Sequence, residues 1–316
     1  MSKYSFVLPA YKARFFKEAL DSILAQTYKD FELIIVNDAS PEDLDSIVKN
    51  YDDSRIRYYV NEDNIGGKDL VAQWNHCLEY AKGDYVILAS DDDVYSPLYL
   101  EKMDELVCKY SNIYVFRSRI QTIDSASLVL HQFGILAEKL SQIEYIYHWM
   151  KGNAGSGIGY FIFHKDTLIN QGGFFNIPLA WGSDDITVVN MAKNGIVFSP
   201  HTLFSFRISG INITSKINDA ATMRQKLLAY KIFEAWLERL VYQLDKEFND
   251  NNIFFHYIKH NYHIFIRRLV FELLKSSSPS AIIKNLKIFF QLKCVSFLRG
   301  MYWITKVFLK RVAISV

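Results

Sequence analysis

Three consecutive aspartates follow an apolar run in the stretch ILASDDDVYSP, residues 87–97. Two carboxylates about 4 Å apart repel each other by about 1 kcal/mol in water, and by more in a less polar site. Asp91, Asp92 and Asp93 therefore favour a compensating partner, and oxygen ligands of this kind bind Mg²⁺ or Mn²⁺ together with water and phosphate oxygens. The alternative is a solvated turn whose aspartates cap a helix that begins near Pro97.

Two further acidic positions are candidates for chemistry. Asp184 and Asp185 occur in the stretch WGSDDI, and a helical pattern continues from them to residue 193. Capping of that helix by Ser183 or Asp184 is the structural alternative. Asp38, in VNDAS, is either a ligand contact or one of the aspartates that routinely end strands.

The elements around these residues predict a parallel α/β sheet. Continuous apolar runs, typical of buried strands, alternate with helical patterns; the strands are predicted at residues 5–8, 31–38, 56–60 and 84–89. Ser40 and Pro41 are predicted to start the second helix, and residues 64–67 to open the third. Ligands bind at the carboxyl ends of such strands, where Asp38 and the aspartate run both lie.

The pattern is less regular after residue 111 and changes again near residue 218. Short strands are predicted at residues 113–116, 161–163, 196–198 and 203–206, and the glycine-rich residues 152–159 form a loop. Long helical stretches then continue to the end of the chain. We therefore predict a catalytic domain over residues 1–218 and a helical region over residues 219–316.

Composition places the chain among globular proteins, with half of its 316 residues hydrophobic. Three widely spaced cysteines and an N-terminus without a signal-peptide pattern predict a cytoplasmic protein.

Residues 273–316 contain no Asp or Glu and eight Lys or Arg, so the other residues carry a net charge of −6. If residues 284–310 form one helix, most of its basic residues share a face. That surface predicts contact with an anionic membrane; an ordinary bundle with exposed lysines is the alternative.

Several ordered blocks resemble family 2 of the glycosyltransferases, which has the GT-A fold. The blocks are SFVLPAYK, QTYKDFELIIVNDAS, NEDNIGG, WNHCLEYAKGDYVILASDDDVYSPLYLE, GGFFNIP, WGSDDITVVNMAKNGIVF and LFSFRISGINIT. They cover about two thirds of the chain and leave the C-terminal third outside. The resemblance implies a GT-A Rossmann-like, mostly parallel sheet flanked by helices, with a C-terminal helical appendage.

The resemblance also assigns roles to residues at the strand ends. It implies a nucleotide-sugar site formed by Pro9, Tyr11, Asp38, Asn64, Gly67, Asp91 and Arg207. It implies Mg²⁺ or Mn²⁺ at Asp92 and Asp93, with Asp92 favoured and Asp91 an alternative ligand. Ser90 occupies the position where many relatives have the first acid of the motif. From the residues alone, Gly66 and Gly67 are better explained as a flexible turn before a helix.

The second acidic pair resembles the motif that supplies the family's catalytic base. Counting back from Ala192 assigns that role to Asp184, and reading the acidic pair directly assigns it to Asp185. Ser209 stands where many relatives have a histidine after the arginine. The implied reaction is an inverting sugar transfer from a nucleotide diphosphate sugar, expected to be UDP-linked, to a hydroxyl of a glycan or lipid-linked acceptor. Bacterial surface polysaccharide synthesis is the expected setting.

Two rival functions follow from the same residues. A nucleotidyltransferase would carry a basic, glycine-rich loop near the N-terminus, which SFVLPAYKARFF lacks. A catalytically degenerate protein that binds a sugar nucleotide or a membrane partner stays open because of Ser90 and Ser209. Nucleic acid is not an expected partner, since the ligand end of the sheet is acidic.

Overall fold

The computed structural model describes residues 2–155, 157–210, 218–248 and 250–314. The chain divides into two compact units. The first comprises Met1–Tyr145, Asn153–Asn176 and Ser183–Ser209, and the second comprises Ile146–Gly152, Ile177–Gly182 and Gly210–Val316. The predicted domain boundary near residue 218 stays a prediction, as does the last part of the predicted family block, residues 211–214, which lies outside the described residues.

The first unit is built on one large mixed sheet. Its described strands are β1 (Tyr4–Ala10), β2 (Phe31–Asn37), β3 (Ile56–Val60), β4 (Tyr85–Leu88), β5 (Val94–Tyr95), β6 (Val115–Ile123), β7 (Val129–Gln132), β8 (Lys139–Leu140), β9 (Phe161–His164) and β10 (Ile196–Arg207). Their order is β3-β2-β1-β4-β9-β6-β10-β5, with β7 beside β6 and β8 beside β10. The predicted sheet flanked by helices is confirmed.

The first four strands are parallel, as the apolar runs predicted. β1 lies between β2 and β4 and is parallel to both, and β3 is parallel to β2. All seven residues of β2 are buried. The carboxyl ends of β1, β2 and β4 therefore meet at one edge, which places the loops after Ala10, Asn37 and Leu88 side by side.

The second half of the sheet is mixed. β9 is antiparallel to both β4 and β6, whereas β10 is parallel to β6. The two strands predicted at residues 196–198 and 203–206 are one strand, β10, whose pairing with β6 shifts register between Phe198 and Phe204. Pro200, which has no amide hydrogen to donate, falls inside this irregular stretch.

The described helices are α1 (Phe16–Leu24), α2 (Leu44–Val48), α3 (Leu70–Glu79), α4 (Tyr99–Lys109), α5 (Gln142–Lys151), α6 (Lys165–Asn170), α7 (Ser183–Met191), α8 (Ala220–Glu247), α9 (Ile253–Lys275), α10 (Pro279–Lys284), α11 (Leu286–Phe289) and α12 (Phe297–Ile314). Short 3-10 helices occur at Pro178–Ala180 and Ala192–Asn194. The predicted start of the second helix at Ser40 was wrong: α2 begins at Leu44, and the Asp43 carboxylate accepts a hydrogen bond from the amide of Ser46.

The second unit is helical. α8 and α9 are its two long helices, and the break predicted near residues 276–279 separates α9 from α10. The single helix considered for residues 284–310 is not present, because the chain turns between α11 and α12. Lys226 of α8 is buried with its ammonium 3.6 Å from the centre of the Trp181 ring, and burial lowers its pKa to about 8. No helix within the described residues is long and apolar enough to span a bilayer.

Candidate functional site

The aspartate run forms a bend between β4 and β5, at the carboxyl edge of the sheet. Asp92 and Asp93 are buried, with 9% and 4% of their surface exposed. They do not cap the following helix: α4 begins at Tyr99, and its cap residue Leu98 contributes no side-chain hydrogen bond. The helix-capping alternative for this run is therefore wrong.

Asp91 connects this bend to the loop after β1. Its Oδ2 accepts hydrogen bonds from the amides of Tyr11 at 2.9 Å and Lys12 at 2.7 Å. Burial raises the pKa of Asp91, and the two amides act in the opposite direction. Tyr11 itself is exposed, and Pro9 is half-buried near the end of β1. Two of the predicted donor-binding segments thus lie directly against each other.

Asp93 is held by its neighbours through both carboxylate oxygens. Oδ2 accepts from the Ser90 hydroxyl at 2.6 Å, and Oδ1 accepts from the Arg207 amide at 2.9 Å. Burial and the adjacent charge of Asp92 raise the pKa of Asp93 to about 7. Burial likewise raises the pKa of Asp92, opposed by Ser90 and by the charges of Lys12 and Arg207.

The chemistry of these two carboxylates fits a divalent cation. The pKa values of both carboxyl groups are raised because burial, and for Asp93 also the charge of Asp92, outweighs the hydrogen bonds and positive charges around them. A bound cation would supply further positive charge and favour the ionised carboxylates. Among the described residues, no group of three or more His, Cys, Asp or Glu side chains is arranged to hold a metal. Mg²⁺ and Mn²⁺ sites commonly use one or two carboxylates and take their other ligands from water and phosphate. Metal binding at Asp92 and Asp93 stays a prediction.

Arg207 lies under this bend and has no exposed surface. Its guanidinium group contacts Asp92 O at 2.7 Å, Asp124 O at 3.1 Å, Ser127 Oγ at 2.9 Å, Glu18 Oε2 at 2.7 Å and the Phe15 ring centre at 4.4 Å. We call this set of contacts the arginine clamp. Since these contacts occupy a fully buried side chain, the clamp shapes the aspartate bend; direct binding of a nucleotide sugar by Arg207 stays a prediction.

Asp38 organises the loop that precedes α3. Its Oδ1 accepts from Asn61 Nδ2 and the Ile65 amide, each at 2.8 Å, and its Oδ2 accepts from the Gly66 amide at 2.7 Å. A Cβ at Gly66 would lie 2.8 Å from that Oδ2, so the close approach requires glycine. This supports a structural role for the glycine pair.

Asn64 closes the same loop, because its side-chain oxygen accepts a hydrogen bond from the amide of Gly67. Asn64 and Gly67 therefore stabilise each other's position beside Asp38. Contacts of Asp38, Asn64 and Gly67 with a nucleotide sugar stay predictions.

Asp184 and Asp185 lie in the first turn of α7. The N-terminal end of a helix favours an ionised carboxylate, but burial dominates here and raises the pKa of Asp184 to about 6, opposed by backbone amides that include Gly157. Ser183 does not act as the predicted cap, since its hydroxyl donates to Phe175 O at 2.7 Å. The start of α7 is thereby fixed to the segment that follows α6.

Residues 157–159 contact elements of both acidic sites. The amide of Gly157 bonds to Asp184. Two residues later, a Cβ at Gly159 would lie 3.5 Å from Leu88 O at the end of β4, and Gly159 O accepts the Tyr95 hydroxyl at 2.6 Å. Because two residues span at most about 7 Å, residues 157–159 form a short link between the start of α7 and the end of β4, from which the aspartate bend begins.

Sequence reasoning missed a buried arginine near the candidate base. Arg117 of β6 is 4% exposed and lies over the rings of Tyr160, Phe161 and Phe198 at 5.1–6.0 Å. Burial raises the pKa of Tyr160, with Arg117 lowering it and Asp184 raising it further, so these charges share one environment. The sequence signal that could have identified Arg117 is its position inside the apolar run IYVFRSRI, where a charged residue is unusual.

Comparisons with known proteins identify the family of the chain and its fold. The family model described as Glycosyl transferase family 2 matches residues 5–168, more than half of the chain. EpsE of Bacillus subtilis, named as a glycosyltransferase, is 33% identical over 142 residues, which are 44% of this chain and 48% of that protein. A Campylobacter jejuni protein named GalNAc(5)-diNAcBac-PP-undecaprenol beta-1,3-glucosyltransferase is 35% identical over 96 residues, 29% of this chain and 30% of that one.

The chain spans less than half the length of these curated relatives. Among solved structures, residues 1–349 of Staphylococcus aureus TarS in complex with UDP-GlcNAc align with a TM-score of 0.61 and 14% identity, covering 96% of this chain and 89% of that one. This likeness confirms the predicted GT-A fold. With the sheet, the two acidic sites and the family match taken together, the protein belongs to glycosyl transferase family 2.

Proposed function

We propose that the protein transfers a sugar from a nucleotide diphosphate sugar to an acceptor hydroxyl with inversion of the anomeric configuration. The observation that carries this proposal is that residues 157–159 contact both acidic sites: the amide of Gly157 bonds to Asp184, and Gly159 lies beside the end of β4, from which the aspartate bend begins. One site has the chemistry of a cation site and the other that of a base. A transferase of this kind needs both, on opposite sides of the reacting carbon.

Asp92 and Asp93 would hold Mg²⁺ or Mn²⁺ at the donor diphosphate, and the bound cation would neutralise charge that develops on the leaving group. Asp91 accepts hydrogen bonds from the amides of Tyr11 and Lys12, and in this proposal it would contact the donor nucleotide. The arginine clamp holds the bend through Asp92 O, and the backbone amide of Arg207 donates separately to the Asp93 carboxylate.

Asp184 is suited to act as the base. A carboxylate with a pKa of about 6 is mostly ionised at neutral pH and is a stronger proton acceptor than an ordinary aspartate. It removes the proton of the acceptor hydroxyl as that oxygen bonds to the anomeric carbon and the bond from this carbon to the diphosphate oxygen breaks. Attack opposite the leaving group gives inversion. Asp185 is the alternative base.

The substrates are inferred from the relatives. A UDP-linked donor is supported by the UDP-GlcNAc complex of TarS, whose fold this chain shares. In this proposal the nucleoside would lie beside Pro9, Tyr11 and Asp38, at or just after the ends of β1 and β2. A glycan or lipid-linked acceptor is supported by the undecaprenol-linked substrate in the name of the Campylobacter relative. Both fit the synthesis of a bacterial surface polysaccharide.

The test is a panel of nucleotide sugars, assayed for hydrolysis and binding with Mn²⁺ or Mg²⁺ and then with a chelator. Wild type is compared with Asp92→Ala, Asp184→Ala and a control, Asp63→Ala, whose side chain is 84% exposed. We expect metal-dependent turnover of one donor that is lost in the first two variants and kept in the control. Asp184→Ala should retain donor binding, because its carboxylate acts on the acceptor.

Other results would point elsewhere. Donor binding by wild type without turnover of any donor would favour the catalytically degenerate protein. If no donor binds with or without metal, the proposed function is refuted. Turnover that survives in Asp184→Ala and disappears in Asp185→Ala would assign the base to Asp185.

A further inference from the structure

Helix α12 presents a large apolar face to solvent. Five of its apolar side chains are exposed by more than two fifths: Phe297, Leu298, Met301, Tyr302 and Leu309, with Leu298 at 82%. At 100° per residue they fall within an arc of about 140°. We call these five side chains the α12 face. Exposed apolar residues of ordinary proteins are scattered, whereas contiguous patches mark interaction sites.

The opposite side of α12 already packs against the second unit. Val307 is buried, and the rings of Trp303 and Phe271 of α9 are 5.3 Å apart. Gly300 lies so close to Phe289 and Phe290 that an added Cβ would clash with both rings. The inner face of the helix is therefore packed against the rest of the second unit, and the α12 face is a separate, exposed apolar surface on the same helix.

Positive charge borders this second surface. Arg299 and Lys306 are exposed and lie on the helix next to Tyr302, at the edge of the apolar arc. The surrounding sequence contains no acid from Leu273 to the end of the chain. A partner of the α12 face must accordingly combine apolar material with negative charge.

We propose that the α12 face binds the surface of a bilayer that contains anionic phospholipid, with the helix lying in the plane of the interface. An in-plane amphipathic helix buries apolar side chains at the level of the headgroups and sets its basic residues against lipid phosphates. The large rings and branched chains of the face, together with its basic border, match that environment. A lipid surface is deformable and requires no shape complementarity, so a convex helix face can bind it without a groove.

Vesicle co-sedimentation with the full chain tests the proposal. Phosphatidylcholine vesicles with and without phosphatidylglycerol are compared, at low and high salt. We expect binding to the anionic vesicles that weakens with salt, because surface charge is screened. The double variant Phe297→Ser, Leu298→Ser should bind at least about tenfold more weakly, since it removes two side chains that the lipid would bury.

Matched variants distinguish binding through the α12 face from nonspecific binding by other exposed apolar side chains. Tyr242→Ser combined with Ile253→Ser removes two apolar side chains of similar exposure from α8 and α9, and should bind like wild type. Arg299→Glu combined with Lys306→Glu should lose the preference for anionic vesicles. Thermal unfolding shows whether each variant is folded, which is expected because all of these side chains are exposed.

Three outcomes would overturn the proposal. They are wild-type binding to neither kind of vesicle, equal binding by the Phe297–Leu298 variant and wild type, and self-association without vesicles that this variant abolishes. The last result would assign the α12 face to contact between copies of the chain. None of these results depends on whether a donor sugar is turned over, so the inference and the proposed function can fail separately.

Discussion

Replacing Arg207 by methionine tests whether the arginine clamp holds the aspartate bend. The change removes three hydrogen bonds, to Asp92 O, Asp124 O and Ser127 Oγ, and the ion pair with Glu18. Each hydrogen bond contributes about 1 kcal/mol. The Glu18 pair adds less than about 1 kcal/mol, because the Glu18 side chain is 42% exposed and regains water. We therefore expect Arg207→Met to lower the free energy of unfolding by about 3 kcal/mol.

The control is Arg119→Met on β6, where a half-buried arginine donates from Nε to Phe133 O at 2.7 Å. One hydrogen bond predicts a loss of about 1 kcal/mol. A second variant, Arg207→Lys, keeps the charge but not the planar group that reaches several acceptors, so it should recover only part of the loss.

Denaturant unfolding measures the free energies, and hydrogen exchange of the peptide over residues 89–95 reports on the bend itself. We expect faster exchange there in Arg207→Met than in Arg119→Met, together with weaker metal-dependent donor binding. If the two methionine variants are equally stable and protect the bend equally, the arginine clamp does not support the site and the reasoning fails.

Three further predictions concern single residues. The rate of sugar transfer should fall as the pH drops below about 6, because protonated Asp184 cannot accept a proton; a fall that begins only near pH 4 in a kcat/KM profile would contradict this. Gly66→Ala should destabilise the protein by about 1–3 kcal/mol in denaturant unfolding, because the new Cβ meets Asp38, whereas Gly134→Ala has open space around it. Lys226→Met should abolish a rise in stability between about pH 8 and pH 10.5. In wild type, the unfolded chain still holds a proton there that the native lysine has released. That rise would amount to at most about 3 kcal/mol, and equal pH dependence of both proteins would refute it.

The first strands were predictable because burial on both faces leaves a continuous apolar run, as in residues 31–37. The position of the aspartates after β4 follows directly from such a run. The start of α2 was not predictable from Ser40 and Pro41, because the nearby Asp43 competes as a cap and bonds to Ser46. When two nearby residues are equally good helix caps, tertiary contacts decide which of them begins the helix.

The role of Arg207 shows a different limit. Its partners Asp92, Asp124 and Glu18 are 83 or more positions away in the chain, so no local pattern distinguishes a buried arginine from one that binds a ligand. Residues 196–207 were divided in two for a related reason. Pro200 interrupts the apolar pattern, and only the pairing with β6 shows that the strand continues.

The hydrogen bonds of the aspartate bend also constrain the order in which the protein can form. Asp91 bonds to amides 79 and 80 positions earlier in the chain, and Asp93 bonds to an amide 114 positions later. Contacts of such separation require large loops to close before they contribute free energy. During synthesis, the three carboxylates therefore leave the ribosome long before Arg207 does and must remain hydrated until it arrives. The bend can reach its native form only late in folding, after most of the first unit has been made.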